Sequence, residues 1–229
     1  MTPPLWHVSA NAQDQARALS HAIARDLEAA LQAQGFASLA ISGGRSPIPL
    51  FHALSHSPLP WARITVLLVD ERCVPPTARD SNEALVREHL LRHAAARAGF
   101  VPPRLAPDHP PPPADVLVLG MGTDGHTASL FPDDPRLALA LDPSQPPGYL
   151  GVAPPSSSWR RITLNLSAIS RSRRVYLAAQ GAAKRAVLES ALAAGAAGPP
   201  VGVILAATAP RAQLYWCPAP DDVAPAPRP

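Results

Sequence analysis

Two loops in this 229-residue sequence carry residues whose types and spacing suit chemistry. In residues 120–127, His126 follows a glycine turn after an apolar run, and a histidine in such a place can give or take a proton near neutral pH. In residues 42–47, Gly43 and Gly44 precede a predicted helix start, where backbone N–H groups can approach an anion. Together the two loops indicate acid/base chemistry on an anionic ligand.

A third polar segment supports this interpretation. Asp70, Glu71 and Arg72 end the apolar run 64–69, and the arginine adds a cation that suits an anionic ligand. The carboxyl ends of parallel strands meet at one edge of a sheet, so the three segments should lie together if the apolar runs before them are parallel strands. We therefore predict one ligand site at that edge.

Both glycine loops also have plainer interpretations, which the residues leave open. The glycine pair could form only a tight turn, and the histidine could satisfy only its own loop. Gly120, Gly122 and Gly125 match the GxGxxG spacing of dinucleotide-binding loops, but Pro132 and Pro135 interrupt the helix that such a loop requires. The sequence contains no GxxxxGK[ST] phosphate loop and no GxSxG nucleophile turn.

Two further groups of side chains have a functional and a structural interpretation. His89 and His93 have the i,i+4 spacing of a metal-binding pair, but the glutamate of HExxH is missing, which favours a solvated helix face. Arg171, Arg173 and Arg174 could contact nucleic acid, but no aromatic residues are interleaved with them, which favours a solvated loop. We expect neither a metal nor a nucleic-acid partner.

Composition restricts the class of protein. Hydrophobic residues make up 47% of the chain and charged residues 16%, which excludes a charge-rich disordered chain. Cys73 and Cys217 belong to no CxxC or Cys/His zinc spacing, which is typical of reduced thiols in the cytoplasm. The N-terminus lacks a secretory pattern and no apolar run approaches ~18 residues, so we expect a cytoplasmic protein that does not contact membranes.

The spacing of apolar residues predicts alternating strands and helices. Predicted strands cover residues 38–42, 64–69, 115–120, 161–166, 174–179, 201–206 and 213–217. Predicted helices cover 13–32, a segment with Ser46 as N-cap and Pro47 as first helical residue, 82–97 with Asp80 and Glu83 in capping-box spacing, and 182–194. This alternation is typical of an α/β fold with a doubly wound, mainly parallel sheet flanked by helices. We predict one domain over residues 1–217 and a disordered proline-rich tail over 218–229, with two further proline-rich stretches at 101–113 and 143–155.

Five motifs in order resemble 6-phosphogluconolactonases, of the superfamily that includes glucosamine-6-phosphate deaminase. They are ISGGRSP (41–47), VDERCVP with DSN (69–75, 80–82), GMGTDGHTASLFP (120–132), RITL (161–164) and GAAKRAVL (181–188). The deaminases resemble GxDGHIAFNEP and carry DEY, whereas this chain has Phe131 at the glutamate position and Arg72 at the tyrosine position. Both differences favour the lactonase. Arg45 departs from the serine or threonine that the family often has there.

The resemblance implies hydrolysis of 6-phospho-D-glucono-1,5-lactone to 6-phosphogluconate in the oxidative pentose phosphate pathway, without a metal or another cofactor. It implies His126 as the base for water, with Asp124 as a second catalytic residue. The substrate or its phosphate would be bound by Gly43, Gly44, Arg45, Ser46, Asp70, Arg72, Arg161 and Lys184. Asp70 and Asp124 could instead orient a neighbour or cap loop N–H groups, and Asn82 is interpreted as architectural.

Some questions stay open from the sequence. The oxyanion donors could be the amides around Gly43–Gly44 or those around Gly122–Gly125. The only expected partner is a small phosphorylated sugar lactone, and the chain could be a monomer or a homodimer. The rival classes are an amino-sugar deaminase or aldose–ketose isomerase, which Phe131 disfavours, and a non-catalytic sugar-phosphate sensor, which the presence of His126 disfavours.

Overall fold

The computed structural model describes residues 4–106 and 108–222 of the chain. Within these residues the strands are β1 (Leu5–Val8), β2 (Ala37–Ile41), β3 (Ile64–Leu68), β4 (Asp70–Arg72), β5 (Gly99–Val101), β6 (Val116–Leu119), β7 (Tyr149–Val152), β8 (Arg161–Leu164), β9 (Arg174–Gln180) and β10 (Ala212–Cys217). The α-helices are α1 (Ala12–Gln34), α2 (Ile48–Ser55), α3 (Asn82–His89), α4 (Leu137–Ala140), α5 (Leu166–Ser170), α6 (Ala182–Ala194) and α7 (Pro200–Thr208).

Seven strands form a sheet in the order β1-β10-β9-β6-β2-β3-β5, and every neighbouring pair is parallel. From β2 the chain first adds β3 on one side and later β6 on the other, so the strand order reverses between β2 and β6. In open α/β sheets a ligand crevice forms outside the carboxyl ends of the strands at such a reversal. This arrangement confirms the predicted fold class.

Apolar side chains alternate across the central strands and build a core on each face of the sheet. In β6, Val116 and Val118 pack with α1 and α2, whereas Leu117 and Leu119 pack with α6 and α7. The period of two places successive side chains on opposite faces, so a continuous apolar run is what a strand covered on both sides requires. The helices therefore hold the carboxyl ends of β2, β3 and β6 in fixed positions.

The prediction of a strand over 201–206 was wrong, because this run lies in α7. A short continuous apolar run fits a buried strand and a buried helix equally well by periodicity. The helix begins at Pro200, a residue that suits a first turn, and it buries Val201, Ile204 and Leu205. A side chain on Gly202 would come within 2.7 Å of the carbonyl oxygen of Ala191 in α6, so close packing of the two helices needs glycine there.

Two predicted N-caps were also wrong, although the predicted start of α3 at residue 82 is confirmed. The N-cap of α2 is Pro47, not Ser46, and it makes no capping hydrogen bond through a side chain. The N-cap of α3 is Ser81, whose Oγ accepts from the amide of Ala84. The capping-box spacing indicated the right segment but the wrong residue. This helix also ends at His89, and residues 93–97 form a separate 3-10 turn.

A second sheet has no counterpart among the predictions. It is antiparallel with the order β4-β8-β7, and it includes the polar segment 70–72 as a strand and β7 from the proline-rich stretch 143–155. The predicted strand 161–166 is present as β8, but it belongs to this small sheet. Edge strands β1 and β5 were also not predicted. The small sheet carries Asp70, Arg72 and Arg161 to the carboxyl edge of the large one.

The separate tail over 218–229 stays a prediction. Residues 218–222 are described, and there the carboxylate of Asp222 accepts hydrogen bonds from the amides of Ala182, at the start of α6, and Ala219. Residues 223–229 lie outside the described part. Within that part no single helix is long and apolar enough to cross a membrane, and α6 with α7 passes on length and composition only as a pair bent by 69°.

Candidate active site

The three loops that the sequence singled out meet in one cleft of about 540 Å³ at the carboxyl edge of the large sheet. Eight of the ten predicted site residues line it: Gly43, Gly44, Ser46, Asp70, Arg72, His126, Arg161 and Lys184. Asp124 does not line the cleft but contacts His126. Arg45 is exposed and lies outside the lining, so its part in substrate binding stays a prediction.

His126 and Asp124 form a hydrogen-bonded pair at one end of the cleft. The imidazole Nδ1 lies 2.6 Å from Oδ1 of Asp124, and the same oxygen accepts from the His126 amide at 3.1 Å. An ionised carboxylate only accepts hydrogen bonds, so we assign the proton to Nδ1. The lone pair is then on Nε2, which is the arrangement a histidine base requires.

The loop that carries this pair is held by its own backbone and needs glycine at two positions. Gly122 and His126 are joined by a hydrogen bond from the amide of the former to the carbonyl of the latter, and a side chain on Gly122 would come within 2.4 Å of the imidazole and of Asp124. Gly125 has a φ of 82° and its carbonyl accepts from the amide of Val201 in α7. The glycines of GxGxxG therefore shape a turn around the histidine.

A second part of the cleft is formed by the loop after β2 against the start of α3. Gly43 packs so closely on Asn82 that a Cβ would lie 1.9 Å from the amide oxygen, and Gly44 has a φ of 92°. Asn82 is only 2% exposed and donates from Nδ2 to the carbonyl of Asp70. Asn82 also lines the cleft, and its interpretation as architectural stays a prediction.

In this second part of the cleft, three buried polar atoms lack a hydrogen-bond partner among the described residues: Ser42 Oγ, Arg72 Nε and Asn82 Oδ1. Arg72 is held by a single 2.6 Å hydrogen bond from Nη1 to the carbonyl of Asp80. Buried polar groups are nearly always paired, and an orphan costs about 1–3 kcal/mol. The three atoms thus point to a polar ligand as their missing partner.

Asp70 and Arg161 also line the cleft and are linked through Ser129. The hydroxyl of Ser129 donates to Asp70 at 2.6 Å, and the Arg161 guanidinium lies 3.9 Å from the same carboxylate oxygen. Burial lowers the pKa of Arg161, while the charge of Asp70 opposes that shift. The aspartate therefore positions the cation, and the side chain of Ser157 holds it from the other direction at 3.0 Å.

Lys184 lies in the first turn of α6, is half buried, and has no carboxylate within 4.0 Å among the described residues. Burial lowers its pKa. Beside it, Gln180 donates to Gln15, whose own amide group donates to two backbone carbonyls. The sequence analysis missed both glutamines. Gln15 lies on the apolar face of α1 with Leu19, and a polar residue on that face is the sequence feature that could have identified it.

The alternative sites find little support in the structure. The GxGxxG loop is followed by the four-residue α4 instead of a long crossover helix. His89 meets His52 on the surface, with their ring nitrogens 3.0 Å apart, and within the described chain no group of three or more His, Cys, Asp or Glu could hold a metal ion. Arg173 pairs with Asp115, and Arg174, which is the first residue of β9 and not part of a loop, pairs with Asp26.

A doubly wound sheet whose cleft is lined by a histidine paired with an aspartate and by several cations defines an α/β protein suited to a small anionic ligand. The sequence matches the family profile described as Glucosamine-6-phosphate isomerases/6-phosphogluconolactonase over residues 10–109 and 96–216. The chain belongs to this family, and within it the chain is an enzyme of the 6-phosphogluconolactonase type.

Three similar proteins support this assignment. A 6-phosphogluconolactonase of Pseudomonas aeruginosa is 47% identical over 197 residues, which cover 80% of this chain and 83% of that protein. One of Rhizobium meliloti is 40% identical over 227 residues, 93% of this chain and 98% of the other. The crystal structure of a putative 6-phosphogluconolactonase from Neisseria gonorrhoeae has a TM-score of 0.87 at 37% identity and covers 93% of this chain and 99% of that one.

Proposed function

We propose that this chain hydrolyses 6-phospho-D-glucono-1,5-lactone to 6-phosphogluconate with His126 as the base and without a metal ion. The observation that carries the proposal is the pairing of His126 with Asp124 in a cleft that is also lined by Arg72 and the other residues with orphan polar atoms. The lactone substrate has two corresponding parts, because its reacting carbonyl carbon C1 lies at one end of the molecule and its phosphate at the other. The geometry thus supports one reacting end and one binding end.

The reaction needs two proton movements, and one imidazole can perform both. Nε2 of His126 takes a proton as water attacks C1 of the lactone, and the Asp124 carboxylate stabilises the imidazolium through Nδ1. When the C1–ring oxygen bond breaks, the same proton passes from Nε2 to the departing oxygen. Backbone amides of the glycine turns beside the cleft are the candidate donors to the transient oxyanion.

The phosphate would be bound where the orphan atoms cluster. Ser42 and Arg72 supply donors there, the amides of Gly43 and Gly44 come from a tight turn, and Lys184, which also lines the cleft, adds a cation. Arginine offers a planar fork to phosphate oxygens and lysine a point charge. The acceptor Oδ1 of Asn82 suits a sugar hydroxyl instead, because it would repel phosphate.

Phe131 favours the lactonase over an amino-sugar deaminase. Its ring stacks on the His126 imidazole with 4.1 Å between centroids, so no carboxylate acts beside the histidine from this position.

The free thiols of Cys73 and Cys217 are consistent with a cytoplasmic location, which we propose together with a monomeric or homodimeric state and no nucleic-acid partner.

A test of the proposal compares His126→Ala with wild type on freshly generated lactone, after spontaneous hydrolysis has been subtracted. We expect kcat to fall by about 10²- to 10⁴-fold, which is the usual contribution of a general base. His21→Ala changes an exposed histidine outside the cleft and is the matched control. Wild-type activity should survive EDTA. Near-wild-type kcat in folded His126→Ala would refute the base, and ammonia release from glucosamine 6-phosphate would refute the lactonase.

A further inference from the structure

Phe131 contacts two residues of the site at once. Its ring stacks on His126 with an interplanar angle of 19°, and the guanidinium carbon of Arg161 lies over the same ring, 5.1 Å from its centroid. The residue is 7% exposed, although it lines an open cleft. A buried aromatic ring thus connects His126 to a cation that lines the same cleft.

His126 needs such support because its hydrogen-bonded anchor is itself open to solvent. The side chain of His126 is 29% exposed and that of Asp124 is 45% exposed. One hydrogen bond at Nδ1 fixes a point of the imidazole but leaves the ring free to tilt about that point. A flat surface under the imidazole removes this freedom and so fixes the direction of Nε2.

Phe131 is well placed to be that surface because the backbone around it is fixed. The amide of Asp134 donates to the carbonyl of Phe131, and Thr127 and Leu130 form an isolated antiparallel bridge just before it. The side chain of Thr127 ties this turn to the carbonyl of Gly120 at the end of β6. The ring is therefore anchored to the large sheet independently of Asp124.

We propose that Phe131 is a positioning residue for His126: its ring sets the plane of the imidazole and thereby aims Nε2 at the lactone. Contact with Arg161 gives the ring a second role, since it keeps base and guanidinium at a set spacing across the cleft. The inference rests on the proposed function, because aim matters only if His126 transfers a proton. A misplacement of about 1 Å in a reacting group can cost about 10²-fold in rate.

The first experiment separates the flat ring from mere bulk. Phe131→Leu keeps an apolar side chain but loses the face, and we expect kcat to fall by about tenfold while KM changes less. Phe131→Tyr keeps the face and should restore most of kcat. Phe51→Leu removes a ring that is fully buried outside the cleft, and its kcat per folded molecule should equal that of wild type. Wild-type kcat in Phe131→Leu would overturn the inference.

The second experiment does not depend on whether Phe131→Leu folds. An imidazole that lies on an aromatic face has carbon-bound protons shifted upfield by the ring current. In the proton spectrum of the wild-type protein, the His126 signals, assigned by their loss in His126→Gln, should lie upfield of those of exposed histidines. Signals at the ordinary position would overturn the inference. Failure of the wild type to hydrolyse the lactone would instead refute the proposed function, and the NMR result would still report the stack.

Discussion

The two ends of the cleft differ in how their polar atoms are satisfied. At the base end, which we define as His126, Asp124 and the turn that carries them, the aspartate oxygen accepts from both the ring and the amide of the histidine. At the anion end, which we define as Ser42, Gly43, Gly44, Arg72 and Asn82, three buried atoms have no partner among the described residues. In the proposed function, His126 is aimed before the substrate arrives, whereas the anion end is completed by the ligand.

This difference predicts which kinetic parameter each end controls. Groups whose geometry is already set act on the reacting atoms and should affect kcat. Groups that gain their hydrogen bonds only from the ligand should affect binding, and so KM, when substrate dissociates faster than it reacts. Each end contains glycines, so the same substitution, glycine to alanine, can be made at both ends to test the comparison.

Gly122→Ala should have the largest effect. The new Cβ would lie 2.4 Å from both the imidazole and the Asp124 carboxylate, so the pair must move. We expect kcat to fall by about 10²-fold with a smaller change in KM, because the base loses its aim. Steady-state kinetics on fresh lactone measures this, with the melting temperature as a check on folding.

A matched control for this variant is Gly148→Ala. Gly148 lies outside the cleft, and the nearest atom to a new Cβ there is 4.0 Å away. Its kinetics should match wild type. If Gly122→Ala also keeps wild-type kcat, the base end tolerates displacement and the proposed contrast between the ends is lost.

Gly43→Ala should produce the opposite pattern. Its Cβ would meet Asn82 Oδ1 at 1.9 Å, and Asn82 cannot retreat without breaking its hydrogen bond to the carbonyl of Asp70. We expect KM to rise by about tenfold, equivalent to one lost hydrogen bond to a charged group, with kcat less affected. A fall in kcat at unchanged KM would show that the anion end also serves the chemistry.

The same contrast explains what the sequence could and could not predict. The base end comes from one continuous segment, so residues 120–127 revealed it without knowledge of the fold. The anion end combines the turn after β2, the start of α3 and an arginine of the small sheet, and only the tertiary structure brings Asn82 onto Gly43. Periodicity predicted the parallel sheet well but mistook α7 for a strand, because a largely buried, apolar helix shows no polar face.

Lys184 should make the affinity of the cleft for an anion depend on pH. Burial lowers the pKa of its ammonium group, so as pH rises it loses its proton earlier than an exposed lysine. Anion binding needs the protonated form, and the phosphate stays a dianion above pH 7, so affinity should fall on the alkaline side. We expect binding of 6-phosphogluconate to weaken by about threefold between roughly pH 7 and pH 10, as suits a half-exposed charge.

Calorimetric titration with the product avoids spontaneous lactone hydrolysis at high pH. Lys184→Arg is the matched variant, because a guanidinium stays charged over this range and the alkaline loss should disappear. If wild type and Lys184→Arg lost the same affinity at high pH, another group would be titrating, and Lys184 would not bind the anion.

The smallest expected effect comes from Ala128, between the two ends. It lines the cleft with a φ of 54°, in the left-handed region that costs an alanine about 1 kcal/mol. Ala128→Gly should therefore leave the free energy of unfolding unchanged or raise it by up to about 1 kcal/mol. Ala186→Gly, on the exposed side of α6, should lower it by about 1 kcal/mol, and urea denaturation compares the two. Equal destabilisation by both would mean that the turn between base and anion ends holds no backbone strain.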